Sequence, residues 1–170
     1  MISIERLDKE EYIDWLDREF RAHGKKRQDG YYQRCFEENK NGKRVTLIGF
    51  DGERLAGCCH LLMHSDYSLF ADRNIPEIND LNVFPEYQRQ GIASKMFDEF
   101  EQIARQLSYK HIGIGVGLYE DYGKAQIMYF HRGFIPDGTG IKYEGKEVLP
   151  GTMVRVDDDL VLYFTKSLES

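Results

Sequence analysis

One short segment, residues 88–93 with the sequence Gln-Arg-Gln-Gly-Ile-Ala, limits the possible folds of this chain more than any other. An extended apolar run, residues 78–84, precedes it, and apolar residues recur at helical spacing from Met96 to Leu107 after it. The pattern predicts a strand that passes through a turn at Gly91 into an amphipathic helix. The first N–H groups of a helix have no partner within the helix, and the helix dipole makes this end positive. The turn is therefore suited to hold a phosphate group.

This turn differs from two well-known phosphate loops. The dinucleotide fingerprint G-x-G-x-x-G and the nucleotide loop G-x-x-x-x-G-K-S/T both need residues that it lacks. Instead, Gln88-x-x-Gly91-x-Ala93 resembles the Q/R-x-x-G-x-G/A loop of the GCN5-related N-acetyltransferases (GNAT), which grips the pyrophosphate of acetyl-CoA. Gly91 lets the backbone approach an anion closely, and the small Ala93 side chain keeps the first helical turn uncrowded. An ordinary strand-to-helix turn is the alternative.

A second segment, residues 122–134, resembles the second cofactor helix of the same family, whose pattern is N-x-x-A-x-x-x-Y-x-x-x-G-F. Four residues fall on this pattern at the right spacing: Ala125, Tyr129, Gly133 and Phe134. Tyr122 stands where the family usually has Asn. Gly133 also fits locally as the residue that ends a helix, with Phe134 starting the next strand. The two motifs occur in the family's order, and the resemblance covers residues 76–135.

Size, charge and cysteine content narrow the class of protein. The 170 residues are predicted to form a single domain, residues 1–170, that buries roughly two-thirds of its unfolded surface. A net charge of −6 argues against nucleic acid as the main partner. Three cysteines are too few for a disulfide framework, and no run approaches a membrane span. His60 and His64 lie in an extended segment and do not form a helical metal pair. We therefore expect a cytoplasmic protein without a metal or a membrane partner.

Local patterns predict the remaining elements. In chain order they are a short strand at Ile2 and Ile4 that could reach Leu7, a helix capped by Asp8, a helix between Gly30 and Asn41, a hairpin on Asp51-Gly52, a loop at 64–76, strands at 77–84 and 111–119, and a last hairpin of 154–156 with 160–164. This order predicts an α+β fold with a mostly antiparallel central sheet and helices on both faces. The GNAT resemblance implies the same mixed sheet in a three-layer α/β/α arrangement.

Two further segments leave alternatives open. The strand at 111–119 carries Gly113, Gly115 and Gly117 on one face, so either a packed helix or a ligand must come close to it. A basic run at residues 21–27 lies between the first two helices. It is either a solvated loop or a contact for a CoA phosphate or an acidic acceptor.

The GNAT resemblance implies acetyl-CoA as the acyl donor and assigns residues to it. The backbone of Leu81, Asn82 and Val83 would pair with the pantetheine arm, and the Val83 N–H could hold the developing oxyanion. The phosphates would contact Gln88, Arg89, Gln90, Gly91, Ile92, Ala93 and Ser94. Tyr122 and Ala125 would complete the cofactor set from the second motif.

The resemblance also implies the catalytic groups. Tyr129 matches the family's general acid, whose neutral phenol protonates the CoA thiolate, and a core tyrosine is the alternative. Strand alternation puts Glu77 and Asn79 on one face and Asp80 on the other. Glu77 occupies one position where family members place a glutamate base, whereas Asn79, at another such position, cannot serve at neutral pH. Asp80 is the second candidate for the base, and a salt bridge is the alternative for both carboxylates.

These residues predict an acetyl-CoA-dependent N-acetyltransferase that acts on a primary amine by direct attack. The alternative is a non-catalytic module that binds or senses acyl-CoA on the same fold. In the family, acceptor specificity comes from the loop between the first two helices and from late loops. Here those loops carry Tyr31, Tyr32, Tyr143 and Asp157, which suit a cationic small amine or peptide acceptor. Family members often form dimers, so a homodimer is also an option.

Overall fold

The computed structural model describes residues 1–169, which group into two compact units. The first unit contains residues 1–63 and 79–102, and the second contains residues 64–78 and the chain from Ile103 onward. The prediction of one domain over residues 1–170 therefore stays a prediction.

The described residues form eight strands and five α-helices. The strands are β1 (Ile2–Arg6), β2 (Arg44–Asp51), β3 (Arg54–Leu62), β4 (Glu77–Val83), β5 (His111–Gly117), β6 (Ile135–Tyr143), β7 (Lys146–Glu147) and β8 (Leu160–Ser167). The helices are α1 (Glu11–Ala22), α2 (Tyr31–Lys40), α3 (Ser68–Asp72), α4 (Ile92–Gln106) and α5 (Gly123–His131). The predicted α+β class with a mixed sheet is confirmed.

In the first unit the strand order is β1-β2-β3-β4. Strands β1 and β2 are antiparallel, as are β2 and β3, whose connection is the predicted turn at Asp51-Gly52. Helices α1 and α2 contribute Leu16, Phe20 and Tyr32 to one buried cluster, which also contains Phe84 from the chain just after β4. This core holds the end of β4 and the start of the following turn in place.

In the second unit the strand order is β4-β5-β8-β6-β7, in which β4 and β5 are parallel through Glu77–Gly113 and Ile78–Ile114. Strand β8 pairs antiparallel with β5 on one side and with β6 on the other. The predicted last hairpin of 154–156 with 160–164 is therefore wrong. The hydrogen-bonding edges of β8 are occupied by β5 and β6, and residues 152–156 form no strand.

Aromatic side chains cover the glycine face of β5. A Cβ atom on Gly113 would lie 2.3 Å from the Phe70 ring, and one on Gly117 would lie 2.4 Å from the Tyr122 ring. Phe70 belongs to the short helix α3, which lies inside the segment predicted to be a loop. A turn of five residues is too short to show helical periodicity, so the sequence pattern missed it.

Several predicted boundaries are corrected. Asp8 does not cap α1, because its N–H bonds to the Arg6 carbonyl in a turn and Glu10 occupies the cap position. Leu7 lies beyond β1 but is buried. Leu107 is 56% exposed, because α4 ends at Gln106 and the chain leaves the helix there. Helix α2 lies between Gly30 and Asn41 as predicted.

Candidate active site

The turn between β4 and α4 has the backbone form of an anion-binding loop. A 3₁₀ turn at Pro85–Tyr87 leads into it, and Arg89 and Gly91 have left-handed φ angles of 61° and 82°. The Lys95 N–H bonds to the Gly91 carbonyl at 3.0 Å, as in the first turn of a helix. The N–H groups that precede it in α4 have no acceptor within the helix. Free N–H groups beside left-handed residues are the backbone features found in anion-binding loops.

Two glutamine side chains brace this turn from within. Gln88 Nε2 donates to the Val83 carbonyl at 3.1 Å, and Gln90 Nε2 donates to the Glu86 carbonyl at 3.2 Å. The start of α4 is also held against β2, because a Cβ on Gly49 would lie 2.6 Å from the Ile92 side chain. The predicted strand, turn and helix are thus present, with their backbone held by the chain itself.

Strand β4 contains a backbone irregularity at Asp80, whose φ is 54°. Asn82 Nδ2 stabilises this conformation by donating to the Asp80 carbonyl at 3.1 Å and to its Oδ1 at 2.7 Å. A left-handed residue inside a strand interrupts the alternation of faces that the sequence predicts. Asp tolerates this conformation better than most residues, but the sequence pattern contained no other sign of it.

The Asp80 carboxylate is the centre of a polar cluster in the first unit. Its Oδ2 accepts hydrogen bonds from Arg27 Nη2 at 2.5 Å and from the Tyr31 hydroxyl at 3.4 Å. His60 Nε2 lies 3.9 Å from the same oxygen. Arg27 and His60 were not among the predicted site residues. The basic run around residues 21–27 was the only sequence signal for Arg27.

His60 is fully buried and carries no charge at neutral pH. Burial lowers its pKa well below the ordinary value, and the nearby charges of Arg44 and Arg27 lower it further. A hydrogen bond of 2.8 Å joins its Nδ1 to Thr46 Oγ1, and one of 3.3 Å joins its Nε2 to the Tyr31 hydroxyl. Within residues 1–169 no group of three or more His, Cys, Asp or Glu side chains is placed to hold a metal ion.

In the second unit, Glu77 is buried at 7% exposure beside Ser65. The Ser65 hydroxyl donates a hydrogen bond to Glu77 Oε2 and accepts one from the Tyr67 N–H at 3.0 Å. The Glu77 carboxylate also acts on Tyr163. Burial and, to a smaller extent, the charge of Glu77 raise the pKa of Tyr163 to about 12. Ser65 was not predicted, because nothing in the sequence links it to a strand that begins twelve residues later.

Tyr129 lies on α5, where it is 5% exposed. Its carbonyl accepts the Phe134 N–H at 3.0 Å, and the rings of these two residues lie 6.2 Å apart. Gly133 has a φ of 87° and ends the helix as predicted, although β6 begins at Ile135 rather than at Phe134. Ala125 is half-buried on the same helix.

With this geometry in hand, sequence comparison identifies the family. The profile of the acetyltransferase (GNAT) family matches residues 8–134, which include the turn at residues 88–94 and all of α5. The chain belongs to the GNAT acetyltransferase family. A search of curated proteins returned no match.

Solved structures share the fold of this GNAT-family protein. A GNAT-family acetyltransferase from Staphylococcus aureus Mu50 is 16% identical, with a TM-score of 0.65, 99% of this chain and 100% of that chain covered. The protein yncA from Salmonella typhimurium, solved with its cofactor acetyl-CoA, is 16% identical, with a TM-score of 0.68 and coverage of 99% and 94%. An aminoglycoside 6'-N-acetyltransferase complexed with coenzyme A is 13% identical, with a TM-score of 0.66 and coverage of 100% and 98%. At these identities the likeness shows the fold alone.

Two of the four predicted acceptor residues, Tyr31 and Tyr32, belong to the first unit. Tyr31 is half-buried and its hydroxyl reaches Asp80. Tyr32 is fully buried, with its ring 5.4 Å from that of Phe20, and its contact with an acceptor stays a prediction. Its position on the inner face of α2 places it in the core.

The predicted late-loop residues form pairs in the second unit. The Tyr143 hydroxyl donates to Asp157 Oδ2 at 3.1 Å. The Tyr122 hydroxyl donates to Asp158 Oδ1 at 2.8 Å, and Tyr119 donates to the same oxygen. Burial raises the pKa of Tyr122 well above its ordinary value, and the bond to Asp158 raises it further. Tyr119 was missed as a member of this cluster.

None of the helices in residues 1–169 is long and apolar enough to cross a bilayer. All three cysteines are free thiols and are buried. Burial raises the pKa of Cys58 and Cys59, which keeps both thiols protonated at neutral pH.

Proposed function

We propose that this protein is an acetyl-CoA-dependent N-acetyltransferase that acetylates a primary amine by direct attack. The observation that carries the proposal is the turn at residues 88–94, where left-handed residues and the start of α4 present N–H donors to an anion. A pyrophosphate suits such a site, because both the donors and the helix dipole favour negative charge. Two proteins of similar fold were solved with acetyl-CoA or coenzyme A, which supports the same substrate.

The reaction comprises four chemical changes. The amine nitrogen forms a bond to the thioester carbonyl carbon, the C–S bond breaks, the amine loses a proton and the thiolate gains one. We propose the Val83 N–H as the donor to the developing oxyanion. Removal of one such donor in other enzymes costs about 2.7–4 kcal/mol of transition-state stabilisation.

We propose Glu77 as the general base. It is buried, and a hydroxyl donor holds its carboxylate in one position. Asp80, the second candidate, already has an arginine and an amide bonded to its two oxygens. That arrangement suits a charge partner better than a proton acceptor.

We propose Tyr129 as the general acid that protonates the thiolate. Its role follows from its place in the second motif, at the predicted distance from Gly133 and Phe134. Ala125 would contact the cofactor from the same helix, and Tyr122 would do so from the turn just before it. We propose Tyr31 as an acceptor contact in the first unit, and Tyr143 and Asp157 as candidate contacts in the second. Free thiols are consistent with a cytoplasmic location.

The test is a thermal-shift titration with acetyl-CoA on wild type, Gly91→Glu and Gly151→Glu. Both glycines have a φ of 82°, and a Cβ at either position would meet nothing within 4 Å, so the backbone strain is matched. We expect saturating acetyl-CoA, at about 100 times Kd, to stabilise wild type and Gly151→Glu by roughly 2.7 kcal/mol. Gly91→Glu should not shift, because its carboxylate repels the pyrophosphate. Equal shifts in both variants would remove this turn from the cofactor site.

A second measurement separates an enzyme from a binding module. Thiol release from acetyl-CoA is followed with a panel of primary amines. Amine-dependent release supports the transferase. Binding of acetyl-CoA without release by any amine would favour the non-catalytic module.

A further inference from the structure

The Arg27 guanidinium occupies a site whose chemistry is that of a cation-binding pocket. It lies 2.5 Å from Asp80 Oδ2 and within 5.4 Å of the Phe20 ring centroid and 5.2 Å of the Tyr31 ring centroid. A carboxylate combined with aromatic rings recognises alkyl ammonium and guanidinium groups. In this structure the chain's own arginine supplies the cation.

The fit of Arg27 is incomplete. Within residues 1–169, the Arg27 Nε and the Tyr32 hydroxyl are buried and have no hydrogen-bond partner of normal geometry. The two groups are nonetheless in contact, since burial raises the pKa of Tyr32 whereas its hydrogen bond to Arg27 lowers it. Tyr32 is fully buried, so its hydroxyl lies beside the guanidinium in a poorly formed contact. Buried polar groups without well-formed partners are unusual in native proteins, so this arrangement needs an explanation.

The Asp80 carboxylate has a fixed position, whereas the Arg27 guanidinium is attached through a long side chain to a segment without regular secondary structure. Asp80 is held by Asn82 and by its place in β4. Arg27 lies in the segment between α1 and α2, which has no helix or strand from His23 to Gly30. The side chains of the pair are 25% and 24% exposed, so solvent reaches the site. An external cation could therefore take the place of the guanidinium without disturbing Asp80.

We infer that Asp80 is the binding site for the ammonium or guanidinium group of a ligand, and that Arg27 is an internal occupant which that ligand displaces. The identity of this ligand as the acetyl acceptor rests on the proposed function. The site itself does not, because cation binding can be measured without acetyl-CoA. Arg27 then makes the site selective, because only a cation that competes with the guanidinium for Asp80 can bind there.

The experiment measures calorimetric binding of butylammonium and ethylguanidinium to wild type, Arg27→Ala, Arg27→Met and Arg44→Ala. Arg27→Met keeps an apolar stem against the rings. Arg44 is the matched control, because it forms a comparable pair with Glu38 at 2.6 Å and is 15% exposed. An internal competitor lowers the apparent affinity for an added cation, because the cation binds only the fraction of molecules in which the site is open. We therefore expect both Arg27 variants to bind the two cations about fivefold or more tightly than wild type. The double variant Arg27→Ala with Asp80→Asn should lose this gain.

Several results would overturn the inference. Equal affinity in wild type and the Arg27 variants would show that Arg27 does not compete for the site. The same gain in cation affinity in Arg44→Ala would show that removal of either paired arginine has this effect. Failure of both Arg27 variants to fold, with or without added cation, would make Arg27 a structural residue, whereas folding restored by ethylguanidinium would support the inference.

The outcomes for this site and for the proposed function are distinguishable. Cation binding without acetyl transfer would keep the site and remove the transferase. Acetyl transfer to a primary amine whose KM is the same in wild type and in the Arg27 variants would support the transferase and overturn the role of Arg27.

Discussion

The Ser65 hydroxyl donates a hydrogen bond to the Glu77 carboxylate, and both side chains are buried. The direction of this hydroxyl is set by the Tyr67 N–H, which donates to Ser65 Oγ at 3.0 Å. A donor of this kind favours the ionised form of a carboxylate. Ser65 is therefore expected to keep Glu77 ready to accept a proton.

The first prediction concerns the pH profile of catalysis. Ser65→Ala should move the acidic limb of kcat/KM to higher pH, because the donor that favours ionised Glu77 is lost. Ser65→Thr keeps a hydroxyl and should retain the wild-type profile. Ser68→Ala, an exposed serine in the same segment, is the control. If Ser65→Ala and Glu77→Gln both keep the wild-type pH profile of kcat/KM, Glu77 is excluded as the base.

The second prediction tests the general acid. Tyr129→Phe should lower kcat by about tenfold or more, because the phenol no longer supplies a proton to the thiolate. The thermal shift with acetyl-CoA should remain, since only one hydroxyl is removed. Tyr109→Phe in the same unit serves as the control. Wild-type turnover in Tyr129→Phe would leave Tyr129 as a core residue.

The third prediction concerns stability against pH. His23 Nε2 lies 2.8 Å from Glu86 Oε1, and its ring stacks on Phe84 at 3.7 Å. The hydrogen bond to Glu86 raises the pKa of His23, and the bond to the Glu19 carbonyl raises it further, against a smaller opposing effect of burial. The charged form is thus favoured by folding. The resulting stability is fully present below the unfolded pKa of about 6.5 and is lost as pH rises through the folded value.

This pH dependence is measured by melting wild type, His23→Gln and Glu86→Gln between acidic and mildly alkaline pH. The advantage of wild type over either variant should shrink as the pH rises. A difference in Tm that is constant across this range would mean that the pair contributes through packing rather than charge.

The fourth prediction tests the close approach of β3 to β4. A Cβ on Gly57 would lie 2.1 Å from the Asn82 carbonyl oxygen and 2.8 Å from Val83 Cα, both of which are backbone atoms. Gly57→Ala should therefore destabilise the protein by about 1–3 kcal/mol, since the backbone must shift. Gly123→Ala is the control, because its Cβ would meet nothing within 4 Å and its φ is helical. Urea unfolding measures both, and equal stabilities would mean that the strands separate without cost.

The features that sequence reasoning predicted well are set by neighbouring residues. Asp51-Gly52 makes its turn within four positions, Gly133 ends α5 by its own φ, and the turn around Gly91 depends on residues that follow one another. Backbone preferences of this kind act over a few residues, so one sequence is enough to recognise them.

The features that it missed depend on strand order and on distant contacts. Arg27 and Asp80 are 53 positions apart, Tyr122 and Asp158 are 36 apart, and β8 lies between two strands that precede it in the chain. Tyr32 is in the core because of the face that α2 turns inward, although its neighbour Tyr31 reaches Asp80. By itself the sequence determined the family, the class of fold and the turn between β4 and α4. Only the tertiary structure decided which charges meet, because side-chain partners across strands follow from register and order, which local preferences do not encode.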